Sequence, residues 1–507
     1  MFCCSHRIPT RPAHSGLYHR TALWLVLAAL ALTTAVQADD DDTRFLLDQT
    51  HRSAEQRAQA EDTLAPPPGT LMYEGHTYQV QNQLQALEPA IYIAINSNQW
   101  TLLPDFIARY QSLSGHRPAL VAMAHSLLAR FQGNYPQALQ QMEKARELEP
   151  QDPRIRLELA RLEFENYQDQ QALVGFIQAL DAGLPAHAQM LVQQYQQALE
   201  KRADWHGSLA LGAGYNSNIN QGNGHYSCLS QLAGICLFER KMPEAIDSSV
   251  LKYELSMQRR FNLSNNHNLR LNLLSYGNYY AQTNPSDTAL IYDFSQNLSV
   301  LQMGYQYLDA SNSLSLAPYV EHNYRNRHST YLAHGLELEW RHTLNRRWQF
   351  NTRLDAKRYE YTHKEQQIGR DHNQFQWGVT ASYASHPNTR LYGGLTLTLQ
   401  EYNIEAASNQ DWSLRSGVYH AFPGPAGAFV NAMGIYRASR HDAHDAFLGE
   451  RRSDQQQVYI VSVGLNGWTL AGLIPELRIR HSINRSNLDW AFGFEQSEIS
   501  LMLRRHF

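Results

Sequence analysis

Two histidines and two aspartates fall within five residues at His441-Asp442-Ala443-His444-Asp445, and imidazole with carboxylate is a donor set that suits zinc. The same stretch, with Arg451-Arg452 close behind it, reads equally as a solvated loop. Cys228 and Cys236 form a second group. In an oxidising compartment two cysteines this close join in a disulfide and shut a small loop; metal binding by the pair is the weaker alternative, since no neighbouring ligands complete a site. A third group is made of charges at alternate positions: Glu337, Glu339, Arg353, Asp355, Arg478 and Arg480. Alternation puts such residues on one face of extended strands, where they either shape a polar path or pair with one another. Carboxylate pairs and serine or histidine nucleophile arrangements occur only at spacings that chance supplies. The residues therefore point to no enzyme, no metal and no cofactor.

The elements that carry these residues begin after a leader. Arg7, Arg11 and Arg20 precede an apolar run from Thr21 to Val36, and Val36-Gln37-Ala38 closes it as a small-residue cleavage site. That layout is a secretory signal peptide over residues 1–38. The apolar run is short of the about 20 residues that a spanning helix needs. Cys3 and Cys4 leave with it, and no lipobox cysteine stands at the cleavage point. Beyond Ala38 no segment approaches a membrane helix, and the mean hydropathy of the whole chain is −0.49. A β-barrel escapes that test, because its lipid-facing and lumen-facing residues alternate. The net charge of −4 favours neither nucleic acid nor anionic lipid as a bulk partner.

Residues 39–83 read as a polar tether, with the acidic run Asp39–Asp42 and the stop Pro66-Pro67-Pro68. Residues 84–202 turn to helical periodicity and contain an internal repeat. Gly133, Tyr135, Ala138, Ala145 and Pro150 stand at tetratricopeptide (TPR) spacing, and 34 residues after the two alanines come Ala172 and Ala179. Small residues are needed where the helices of a pair cross closely. Leu84–Leu113 reads as a degenerate earlier pair and Ala186–Lys201 as a closing helix, leaving an ordinary helical bundle as the alternative.

From residue 205 to residue 507 the helical period vanishes. Phe375, Trp377, Val379, Ala381 and Tyr383 alternate with Gln374, Gln376, Gly378, Thr380 and Ser382. Leu336, Leu338 and Trp340 alternate in the same way with Glu337, Glu339 and Arg341. Fourteen such stretches can be counted, and most exceed the 9–11 residues that cross a bilayer at a tilt. Long connections, Ser217–Ser248 and His441–Ser453, follow odd-numbered strands. Short ones, such as Ala310-Ser311 and Pro423-Gly424-Pro425, follow even-numbered strands. That asymmetry is the one between outer loops and periplasmic turns. Tyr359, Tyr361, Trp412, Tyr419 and Phe422 stand near strand ends, where an interfacial aromatic girdle is expected. The expected fold is thus α plus membrane β: a TPR-like periplasmic helical domain followed by a 14-stranded transmembrane antiparallel barrel in the outer membrane. The aromatic carboxyl terminus, Phe507, resembles the signal read by the barrel assembly machinery.

This architecture resembles the surface lipoprotein assembly modulator (Slam) family. Gly212-Ala213-Gly214-Tyr215-Asn216-Ser217-Asn218-Ile219-Asn220 is similar to a first-strand segment common there, with Asn216 where an aspartate is frequent. The resemblance implies an outer-membrane translocon that moves surface lipoproteins, or secreted haem- and iron-scavenging proteins, from periplasm to cell surface. It implies an exported protein cargo as partner, with the assembly machinery inserting the barrel into outer-membrane lipid. An exopolysaccharide exporter with a TPR domain and a passive porin remain the alternatives.

Overall fold

The structure is a computed structural model and describes residues 80–232, 235–282, 293–362 and 370–507, with the backbone of 71–73 and 76–78. The leader and most of the tether lie outside the described residues. Within the span read as tether, Leu71–Tyr73 pairs antiparallel with His76–Tyr78.

Helices α1 (Leu84–Asn96), α2 (Leu103–Gln111), α3 (Pro118–Phe131), α4 (Tyr135–Leu148), α5 (Pro153–Glu165), α6 (Asp169–Asp181) and α7 (Ala186–Ala203) follow one another. Their ends are written in the sequence. Gly133 adopts φ +80° after α3, a conformation that glycine takes without steric cost. The Asp152 carboxylate caps α5, accepting from the Arg154 and Ile155 amides at 2.8 and 3.2 Å. Pro153 sits in the first turn of that helix, where its missing N–H costs nothing. Ala138 and Ala145 on α4 and Ala172 and Ala179 on α6 are fully buried. These are the crossing points of α3 with α4 and of α5 with α6. Pro150 lies just beyond the end of α4, and Tyr135 opens that helix with its hydroxyl 3.2 Å from Glu165. The closing helix α7 stacks Tyr195 on Phe176 at 5.0 Å, and Arg202 covers the Phe164 ring at 3.6 Å.

The barrel strands are β1 (His206–Asn216), β2 (Ser248–Ser264), β3 (His267–Tyr280), β4 (Gln296–Leu308), β5 (Asn312–Arg325), β6 (His328–Thr343) and β7 (Trp348–Tyr361). They continue as β8 (His372–His386), β9 (Thr389–Tyr402), β10 (Asn409–Ala421), β11 (Ala428–His441), β12 (Ser453–Leu465), β13 (Ile474–Ser486) and β14 (Phe494–His506). Each pairs with its sequence neighbours, and β14 pairs with β1 to close the cylinder. Outward positions are apolar and open, as at Leu211, Leu338, Trp340, Trp377 and Trp412. Inward positions are polar and buried, as at Glu339, Gln374 and Asp411. The apolar outer band can face lipid because neighbouring strands pair their backbone groups and closure leaves no open sheet edge.

The girdle reading needs correction at three residues. Tyr359 and Tyr361 are 0% and 5% exposed because they share parity with the inward Asp355 and Lys357. Tyr419 also points in, at 5.8 Å from the Phe429 ring. Parity, not nearness to a strand end, decides which face an aromatic takes. Trp412 and Phe422 stay open to the outside.

Candidate functional site

The barrel interior is the surface where fold and charge converge. Glu254 on β2 binds Arg478 and Arg504 at 2.6 Å each, and Glu476 binds the same two arginines at 3.1 Å. This four-membered cluster ties β2, β13 and β14 together across the seam. A second cluster joins Arg353 to Glu337 at 3.4 Å and to Glu339 at 3.6 Å. Glu339 also meets Arg270 and Arg341, while Asp355 accepts from the Tyr319 hydroxyl at 2.8 Å. Arg480 lies inward on β13, opposite Glu498 in register. The charges singled out by alternation thus meet partners on the wall. Taking such ions out of water is costly unless they are paired and hydrogen-bonded, so these pairs stiffen the wall.

One band of the interior is apolar. Leu274 and Leu298 on β3 and β4, Met433 and Ile435 on β11, and Val458 and Ile460 on β12 belong to one buried cluster, each at most 6% exposed. In a closed ring of fourteen strands these pairs lie far apart around the circumference, and Tyr331, Ala333, Tyr359 and Tyr361 on the intervening β6 and β7 belong to the same cluster. Beside them Tyr331, Tyr359, His372 and Tyr402 stack: Tyr359 on His372 at 4.3 Å and His372 on Tyr402 at 4.1 Å. An apolar constriction expels water and ions by dewetting. The sequence conceals this band, because around Met433 and Ile435 both strand faces are apolar and alternation has no contrast.

The segment that carries the family resemblance sits where the cylinder closes. Gly214 packs so near β14 that a Cβ there would meet the Ile499 carbonyl and come within 2.8 Å of Ser500. The Asn216 amide donates to Glu498 at 3.0 Å. Asn218 donates to the Gly222 and Glu495 carbonyls at 2.8 and 2.9 Å and accepts from the Gly222 amide. Asn220 bonds the far side of the first outer connection, at the Glu244 carbonyl and the Ile246 amide. Ser217 meets Ser497, the Tyr215 hydroxyl donates to Asp247 at 2.8 Å, and Ile219 is buried with Val250 and Tyr280. Together these residues latch β14 to β1 and fold the first outer connection over the end of the seam. At the opposite end Gly207 and Phe507 exchange both backbone hydrogen bonds, at 2.9 and 3.0 Å.

The first outer connection carries a hairpin that the sequence reading missed, Tyr226–Leu232 against Ile235–Lys241. The Cys228–Cys236 disulfide crosses it, with Cα atoms 5.8 Å apart. Arg240 lies 3.7 Å over the Trp490 ring and anchors the hairpin to the last outer connection. The histidine–aspartate stretch spends its polar atoms locally. His441 meets the Ala406 carbonyl and His444 the Gly449 carbonyl, while Asp445 accepts from the Phe447 and Leu448 amides.

The helices dock on the periplasmic rim. Asp169 receives Arg202 from α7 at 3.0 Å and Arg260 from β2 at 2.6 Å. Asn166 accepts through its backbone carbonyl from Asn266 at 2.5 Å and through its side chain from the Ala310 amide at 3.2 Å. These partners lie on the turns after β2 and β4. The Tyr135 hydroxyl is pushed up by burial and by Glu165, while Arg130 and, from the turn after β6, Arg346 pull it back.

Comparison with known sequences places the whole arrangement. The profile described as surface lipoprotein assembly modifier matches residues 205–507, and the one for that family's N-terminal TPR repeats matches residues 74–176. The chain belongs to the surface lipoprotein assembly modifier family and is an outer-membrane β-barrel protein with an N-terminal helical repeat domain. The hemophilin secretion modulator of Acinetobacter baumannii is 26% identical, over 92% of this chain and 96% of its own length. Surface lipoprotein assembly modifier 2 of Neisseria meningitidis is 23% identical, over 94% and 97%. Among solved structures, OccAB3 of Acinetobacter baumannii matches 60% of this chain and 100% of its own, at 10% identity and a TM-score of 0.33; likeness that loose carries no argument.

Proposed function

We infer that this protein delivers a protein cargo across the outer membrane, the cargo being a surface lipoprotein or a secreted haem-scavenging protein. One observation carries the reading: similarity to an assembly modifier and a secretion modulator runs through both halves of the chain. It favours protein export over the polysaccharide exporter and the porin.

In this reading residues 1–38 are removed on export and 39–83 tether the mature chain. Residues 84–202 retain cargo in the periplasm, and 205–507 provide the route outward. The barrel assembly machinery inserts the cylinder, guided by Phe507, and outer-membrane lipid surrounds its apolar band. The protein performs no reaction of its own. Since the periplasm offers no ATP, cargo folding or capture outside the cell supplies the drive.

The test is protease shaving of cells that co-express a candidate cargo with and without this chain. Cargo should become accessible only when the chain is present, and equal accessibility without it sinks the reading. Deleting residues 84–202 should keep the barrel heat-modifiable on gels while lowering cargo display.

A further inference from the structure

The periplasmic mouth carries a charge pattern unlike the paired wall above it. A cleft of about 350 Å³ opens between the last repeat and the strand ends. Arg260 on β2, Arg270 on β3, Arg341 on β6 and Arg390 on β9 line it. Arg346 and Arg347 add two cations from the turn between β6 and β7, and Arg202 reaches in from α7. The carboxylate in that lining is Asp309, whose Oδ1 accepts from both the Ser311 and Asn312 amides of its own turn at 2.7 Å each. Beside the cleft, Asp169 holds Arg202 and Arg260, and Glu339 holds Arg270 and Arg341. Three carboxylates thus face the seven guanidinia named, so the cleft keeps a net positive field. A concave wall of one sign focuses that field and raises the local concentration of the opposite charge.

We propose that this cleft binds an acidic segment of the polypeptide in transit, an assignment that rests on the export reading above. Two features choose peptide carboxylates over a lipid headgroup. Arg260, Arg270, Arg341 and Arg390 take inward positions beneath the docked helices, away from the apolar outer face where lipid lies, while Arg259 at the edge of the lining turns outward over the Trp205 and Phe261 rings. Every lysine or arginine in the lining is an arginine, and its planar fork matches carboxylates two bonds at a time, which an ammonium cannot do. An acidic stretch held here would lie directly below the lumen, with the repeat domain against its flank.

The test uses the full-length mature protein in detergent and a fluorescent peptide of alternating glutamate and glycine. Wild type should bind it, more weakly as salt rises, and should ignore the lysine–glycine counterpart. The combined variant Arg346→Glu, Arg347→Glu, Arg390→Glu should weaken binding by about tenfold or more while the barrel stays heat-modifiable. Changing the same three residues to lysine should restore part of the affinity. Equal binding by wild type and the glutamate variant overturns the proposal. So does full competition by phosphatidylglycerol vesicles, which would make the cleft a lipid site. A peptide that fails to bind wild type sinks this assignment even if cargo reaches the surface. Cargo display that does not need the chain sinks the export reading whatever the peptide does.

Discussion

Asn218 is held by more bonds than its size suggests, for one short amide side chain joins the end of β1, the first outer connection and β14. Removing it leaves the Gly222 and Glu495 backbone groups without that partner, at about 1–3 kcal/mol for groups shut from water. Asn218→Ala should therefore lower the temperature at which heat-modifiable mobility is lost and expose the first outer connection to protease. An unchanged transition would show that the latch is ornamental. In the helical domain, burial pushes the Glu163 carboxyl up to about 7, and the nearby Glu143 carboxylate adds to the effect. The folded state thus holds this proton more tightly than the unfolded chain does. Stability from the group is complete below about pH 4.5 and is lost as pH rises through about 7. Glu163→Gln should flatten that fall in thermal midpoint, followed by helical circular dichroism, and raise the midpoint above neutrality. A pH profile that still tracks wild type would move the effect to another group.

Whole elements were the most legible part of the chain. Alternating strands, long and short connections and alanines at a fixed period carry fold information locally, and the fourteen-stranded cylinder with helices before it is what the structure shows. Which charges lie inside was readable for the same reason, as Glu337, Glu339 and Asp355 illustrate. Less legible were features made by distance along the chain. The Glu254 cluster needs β2 beside β13 and β14, and the rim contacts of Asp169 and Asn166 need the helices folded back on turns. The inward tyrosines were misread because aromatic content was weighed without parity. The seam element has its own prediction. Gly214→Val places a branched side chain against the Ile499 carbonyl and Ser500. Overpacking there should cost about 1–3 kcal/mol, read as a lower heat-modifiability temperature. A valine tolerated without loss would mean that β1 and β14 can part more easily than their bonds imply.

At the scale of the molecule the inner wall carries an apolar band that runs from β3 and β4 to β11 and β12, which predicts a lumen sealed to water and ions. Mature protein in a planar bilayer should pass almost no current without cargo. The double variant Ile435→Ser, Ile460→Ser should wet the band and raise conductance, and a wild-type barrel that conducts steadily would refute the seal. The helices below have a further consequence. Their ion pair holds Arg260 on β2 and their hydrogen bonds grip the turns after β2 and β4, an off-centre footing on a ring of fourteen strands. A polypeptide approaching from beneath therefore meets an asymmetric doorway, walled on one side by the repeats and open on the other.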